Sequence, residues 1–124
     1  MDTAKGVLVF GEIVDGKLAP VTIELLGAGR KLANELGEEL SVLLLGSKAG
    51  SLGQEAIAFG ADTVYTDTDS IFDVYNSDAY TQAASGLCKK ALPAVMLFGH
   101  TDIGCDLAPR LNGRLGGGLA MDRA

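Results

Sequence analysis

The chain has 124 residues, 48% of them apolar, and carries ten basic against sixteen acidic side chains for a net charge of −6. That length suits one folded domain, that apolar fraction rules out a disordered tail, and no apolar run approaches the roughly 20 residues of a membrane-spanning helix. The acidic balance argues against nucleic acid as a partner, because neutralising phosphates requires a clustered basic surface.

Met1 to Lys5 lead straight into an apolar stretch, without the basic, long-apolar and small-residue order of a secretory leader. Cys88 and Cys105 lie far apart and form no Cys-x-x-Cys, so neither a zinc site nor a dithiol motif is available. A soluble cytoplasmic protein with no membrane insertion is expected. Residues 49 to 88 hold Glu55, Asp62, Asp67, Asp69, Asp73 and Asp78 with no Lys or Arg. One edge should therefore be acidic, either as solvated loop carboxylates or as a patch that steers a basic partner.

Val7 to Phe10 form a continuous apolar run, as expected for a strand covered on both faces. Asp15-Gly16 then sits between short apolar pieces and predicts a tight hairpin turn. From Thr22, a candidate cap, to Leu36, helical spacing places Leu25, Ala28, Gly29, Leu32, Ala33 and Leu36 on one face, with Gly37 as the stop. Gly27 and Gly29 each cost a helix about 1 kcal/mol relative to Ala, so close approach of this helix to a sheet is expected.

Leu40 to Leu45 read as a second buried strand, followed by the loop 46–51. A short helix over 52–59 would bury Ala56, Ile57 and Phe59, and Gly60 closes it. Thr63 to Thr66 suit an edge strand, and residues 67–76 are acidic and turn-rich. Ser77 is placed to cap a helix with Asp78 in its first turn, Lys89 and Lys90 in its last, and Tyr80, Ala83, Ala84, Leu87 and Ala91 buried. Ala94 to Phe98 form the fourth strand after Pro93. With Asp106 as cap, Pro109 falls in the first turn of a last helix that buries Leu107, Leu111 and Leu115 and ends at glycines 116–118. Leu119 to Met121 begin a fifth strand.

Strands alternating with helices at this spacing predict an α/β fold, a three-layer α/β/α sandwich with a mainly parallel, Rossmann-like sheet. Ligands in such folds bind at the carboxyl ends of the strands. After the first strand, a dinucleotide site needs Gly-x-Gly-x-x-Gly opening into a helix; this chain has Gly11-Glu12-Ile13-Val14 and a hairpin. The loop Gly46-Ser47-Lys48-Ala49-Gly50-Ser51 lacks the Lys that follows the second glycine of a P-loop, and reads as a flexible lead into a helix. The loop from Gly99 to Asp106 is the most polar. His100 as base and Cys105 as nucleophile are conceivable there, but no third group supports them, and no catalytic, cofactor-binding or metal residue is assigned. Asp106, Arg110 and Arg114 read as a surface charge ladder worth tenths of a kcal/mol. A phosphoacceptor receiver is excluded because Glu12 is single and no Lys lies beyond residue 90.

Four ordered segments carry a resemblance: Gly6 to Glu12, Asp15 to Leu26, Gly60 to Tyr65 and Thr101 to Arg110. Together they resemble the N-terminal domain of the electron transfer flavoprotein alpha subunit. The resemblance implies that residues 1–124 are one non-catalytic scaffold domain that packs with the beta subunit in a heterodimer, which carries electrons from dehydrogenases to a quinone-linked acceptor. It also implies that FAD is held by a C-terminal domain of the alpha subunit beyond Ala124, so this chain alone is expected to hold none. Cys105 stands where relatives commonly carry Arg, which removes a planar donor fork for an anion or partner at that loop, and Asn112-Gly113 replace small helix-forming residues, which weakens the helix. The alternative reading is a small adenine-nucleotide-binding module of universal-stress-protein type, motivated by the loop 46–51.

Overall fold

The computed structural model describes residues 4–117 and 119–123. The expected leader-free start falls largely on Met1 to Thr3, and one of the three helix-ending glycines is Gly118; these lie outside the described residues. Strand β1 (Val7–Gly11) is followed by a hairpin of β2 (Ile13–Val14) and β3 (Lys17–Leu18), then helix α1 (Pro20–Leu36). β4 (Leu40–Leu45) leads through a 3-10 turn (Ala49–Leu52) into α2 (Gly53–Ala58), β5 (Thr63–Asp67) and a second 3-10 turn (Ser70–Asp73). The chain continues as α3 (Ser77–Ala91), β6 (Val95–Phe98), α4 (Asp102–Arg114) and β7 (Ala120–Arg123).

Five strands form one parallel sheet in the order β5-β4-β1-β6-β7, the Rossmann-like architecture that the strand–helix alternation predicts. Period-2 alternation divides each central strand between two cores. Val7, Val9, Leu40, Val42 and Leu44 pack with α1 and α2 on one face; Leu8, Phe10, Leu43, Leu45, Met96 and Phe98 pack with α3 and α4 on the other. β1 is the middle strand, and Val7 through Phe10 are at most 1% exposed, which is why its sequence shows no polar alternation. β5 lies at an edge and is only half-buried, as its mixed sequence implies. Asp15 and Gly16, both at positive φ, close the hairpin.

Several local expectations are corrected. α1 begins at Pro20 behind Ala19, which offers no side-chain cap, and Thr22 is instead buried with its hydroxyl donating to the Glu12 carbonyl at 2.8 Å. Ala28 and Leu36 are exposed while Leu26 is fully buried, because the sheet contact follows Leu25, Leu26, Gly29 and Ala33. Close approach explains Gly29, where an added Cβ would stand 2.7 Å from Leu40 Cδ1. It does not explain Gly27, which faces open space. Ile57 and Phe59 are 47% and 41% exposed, since the short α2 turns only Ala56 inward.

The caps of the later helices also move. Asn76, not Ser77, caps α3, its Oδ1 accepting from the Ala79 amide at 2.9 Å. Cys88, Thr81 and Ser85 join Tyr80 and Ala84 in the buried face, and Ala83, Leu87 and Ala91 stay half-buried. Thr101, not Asp106, caps α4, so Pro109 falls inside the helix rather than in its first turn. Pro109 brings no N–H for the carbonyl four residues back, and this break lies on an exposed surface. Gly116 and Gly117, both at positive φ, stop the helix as expected.

Candidate functional site

The strand order reverses at β1, between β4 on one side and β6 on the other. In an open parallel sheet the crevice at the carboxyl ends of such strands is where ligands bind. Here it opens into a cleft of about 460 Å³ whose lining includes Phe10, Glu12, Asp15, Ser47, Asp73 and Tyr75. Beneath it run edge-to-face and stacked aromatic contacts: Tyr75 to Tyr80 with centroids 4.8 Å apart, Phe72 to Tyr80 at 5.5 Å, and Tyr80 and Phe98 each about 6 Å from Phe10. Tyr80 donates to the Phe72 carbonyl, which locks the 3-10 turn onto α3, and burial raises its phenol pKa.

Glu12 is the first residue after β1 and is only 8% exposed. Its Oε2 accepts from Thr101 Oγ1 at 2.6 Å, and the same Thr101 oxygen accepts from the Gly104 amide at 3.0 Å. Its backbone carbonyl accepts from the Ala19 amide and the Thr22 hydroxyl, which returns the hairpin to the start of α1. A side chain at Gly99 would crowd this site, since a Cβ would lie 2.8 Å from Val21 Cγ2 and 3.0 Å from Glu12 Oε2. The crevice is therefore lined by a carboxylate, where a dinucleotide fold would present free amides.

The loop 46–51 repeats the pattern. Gly46 adopts φ +132°, Ser47 donates its amide to Asp73 Oδ1 at 2.7 Å, and its hydroxyl donates to Asp73 Oδ2 at 2.9 Å. These two donors, the backbone amide first, hold the Asp73 carboxyl below its usual range. The donor that could have held a phosphate is already engaged by an internal anion, so the lead-in reading of this loop stands and the nucleotide-module alternative is not favoured. A flavin pyrophosphate does not fit either loop without displacing a carboxylate.

In the polar loop after β6 the side chains separate. Thr101 serves as cap, and His100 is exposed beside a shallow cleft bordered by Pro109, Asn112 and Met121, while Cys105 is half-buried within α4. Asp106 is more than a rung of a surface ladder. It accepts from Tyr75 at 2.6 Å, Ser77 at 2.7 Å and Arg110 at 3.0 Å, tying the segment before α3 to α4. Those donors, Tyr75 first, hold its carboxyl down to about 2. Burial and the bond to Asp106 push the Tyr75 phenol up to about 12. Sequence spacing exposed only the Arg110 contact, because Tyr75 and Ser77 are about thirty residues away.

The acidic window also resolves into local tasks. Asp62 accepts from the Leu40 amide and pairs with Arg30 at 2.9 Å, which lowers its pKa. Asp67 accepts from the Asp69 amide and Asp69 from that of Ile71, so both shape the turn after β5. Among the described residues no group of three or more His, Cys, Asp or Glu could hold a metal, and no helix is long and apolar enough to cross a membrane.

The family described as the electron transfer flavoprotein domain matches residues 7–122 of this chain. The electron transfer flavoprotein subunit alpha of Thermoanaerobacterium thermosaccharolyticum is 41% identical over 122 residues, covering 98% of this chain and 37% of that protein. The same subunit of Bacillus subtilis is 42% identical over 118 residues, 95% of this chain and 36% of its own length. The acryloyl-CoA reductase electron transfer subunit beta of Anaerotignum propionicum is 36% identical over 122 residues, 98% and 33% of the two lengths. The chain thus spans about a third of the length of the curated relatives it matches.

Proposed function

This chain belongs to the electron transfer flavoprotein family, and from that we propose that residues 1–124 form the N-terminal domain of an alpha subunit and act as a scaffold rather than a catalyst. It packs with a beta subunit, and a further C-terminal domain holds the FAD of the assembly. The whole complex carries electrons from dehydrogenases to a quinone-linked acceptor, in the cytoplasm. Two observations support this reading: the alpha-subunit relatives align with nearly all of this chain, and both strand-end loops that could cradle a phosphate are occupied by the chain's own carboxylates.

The part-buried Glu12–Thr101 contact carries the scaffold reading. A domain that bound flavin through its first crevice would need amide donors there, and a fixed carboxylate repels the pyrophosphate instead. The domain's own contribution is a rigid sheet whose exposed surfaces set the position of its partners. Residues 1–124 incubated with FAD and passed through gel filtration should elute without flavin absorbance, and the same chain mixed with a beta subunit should co-elute with it. Stoichiometric retention of FAD by the chain alone would defeat the reading.

A further inference from the structure

The cleft beside Glu12 has a charge imbalance that the fold does not resolve. Its ionisable lining consists of Glu12, Asp15 and Asp73 against Lys48. Asp73 lies in the field of Lys48. Arg30–Asp62 and Asp106–Arg110 are ion pairs, and among the described residues no cation pairs with Glu12, although that residue is more than nine-tenths buried. A buried charge is ordinarily matched by an opposite charge as well as by hydrogen bonds. The Glu12 carboxylate accepts one hydrogen bond, from Thr101 to Oε2. A carboxylate offers about four acceptor positions, and Glu12 is part of the cleft lining.

We propose that this cleft receives a guanidinium group, with Glu12 as its counter-ion. A guanidinium matches the site better than a compact ammonium on two counts. It is planar and weakly hydrated, which suits a cleft whose lining includes Phe72, Tyr75 and Tyr80. It also presents a fork of donors that can reach a carboxylate through two bonds at once. Asp73 adds a second acceptor at the rim, since each of its oxygens takes only one bond from Ser47. The volume of about 460 Å³ lies in the range of small-ligand clefts. Phosphate-bearing ligands are disfavoured by the same carboxylates. The guanidinium can come from a free small molecule or from an Arg side chain of an associated chain, and its recognition is independent of any role in electron transfer.

The test is titration of the isotopically labelled chain with n-butylguanidinium, followed by amide NMR, with neutral n-butylurea as the shape control. Saturable shifts at Phe10–Ile13, Ser47 and Tyr75 are expected with the guanidinium and none with the urea. Glu12→Gln keeps an acceptor for Thr101 and should weaken binding by about tenfold or more, as loss of a hydrogen bond to a charged group does. The wild-type comparison of the two probes stands even if that variant folds poorly. Equal response to both probes, shifts confined to other regions, or no saturation at tens of millimolar probe would overturn the proposal. Repeating the titration after adding a beta subunit separates the sources. Retained binding indicates a free ligand, whereas blocked binding together with a weaker complex for Glu12→Gln indicates an Arg of the partner. If no complex forms, the family role fails while the cleft assignment stands on the first titration.

Discussion

Thr101 donates to the Glu12 carboxylate at 2.6 Å across 89 residues of sequence, joining the end of the central strand to the cap of the last helix. The hydroxyl faces two ways, giving its proton to Glu12 and accepting the Gly104 amide. Thr101→Val keeps the shape but removes both bonds, leaving an uncapped amide and a buried carboxylate without a donor. A loss of about 2–3 kcal/mol is expected in urea unfolding, and Thr101→Ser should recover most of it. A loss below half a kcal/mol would mean that water replaces the contact without cost.

Two helical glycines should respond to alanine in opposite directions. A Cβ at Gly104 would stand 1.9 Å from the Gly99 carbonyl oxygen, a backbone atom that cannot swing aside, whereas one at Gly27 meets nothing within 4 Å. Gly104→Ala should destabilise by about 2–3 kcal/mol as the loop and α4 are pushed apart. Gly27→Ala should stabilise by about 0.5–1 kcal/mol through helix propensity alone. Thermal melts of the two variants check the sign of each.

Acid sensitivity should trace to Asp106. Its carboxyl is held at about 2, below the ordinary aspartate value of 3.8, by Tyr75, Ser77 and Arg110. A folded-state pKa below the unfolded one means that the unfolded chain takes up the proton first, so this contribution is full above about pH 4 and disappears as pH falls toward 2. Asp62 and Asp73 act in the same direction. Urea midpoints of the parent should fall across that window, and those of Asp106→Asn should start lower at pH 7 and fall less steeply.

The two thiols should differ sharply in reactivity. Burial pushes Cys88 up to about 11 and leaves it 5% exposed, while Cys105 is half-buried on α4. At pH 8 a chromogenic disulfide reagent should modify one thiol per folded chain, with the second appearing only after denaturation. Cys105→Ser should abolish the fast phase. Rapid reaction of both thiols in the folded chain would show that α3 opens readily.

The layout of the sheet was legible because burial on both faces leaves a local record. Val7 to Phe10 and Leu40 to Leu45 lack polar alternation, and each became a central strand. Asp15-Gly16 announced its hairpin because positive φ is a property of those two residues in sequence. The caps were less legible. Thr22, Ser77 and Asp106 are all of capping type, yet each is engaged elsewhere, with the Glu12 carbonyl or within the Asp106 cluster. Residue type marks what a side chain can do, and neighbours in space determine which of its options is taken.

The candidate site divides in the same way. The missing glycine fingerprint after β1 was visible in Gly11-Glu12-Ile13-Val14, and it counted against a dinucleotide held in that mode before any fold was known. That Glu12 would be buried against Thr101, and that Asp73 would take the donors of Ser47, depended on residues 89 and 26 positions apart. Hydrophobic periodicity is a short-range pattern, so the elements, their alternation and the family to which they belong were readable along the chain. Which charges meet at the strand ends was decided only when the parallel sheet brought distant loops to one edge, because pairing energies depend on distance in space and leave no regular spacing along the chain.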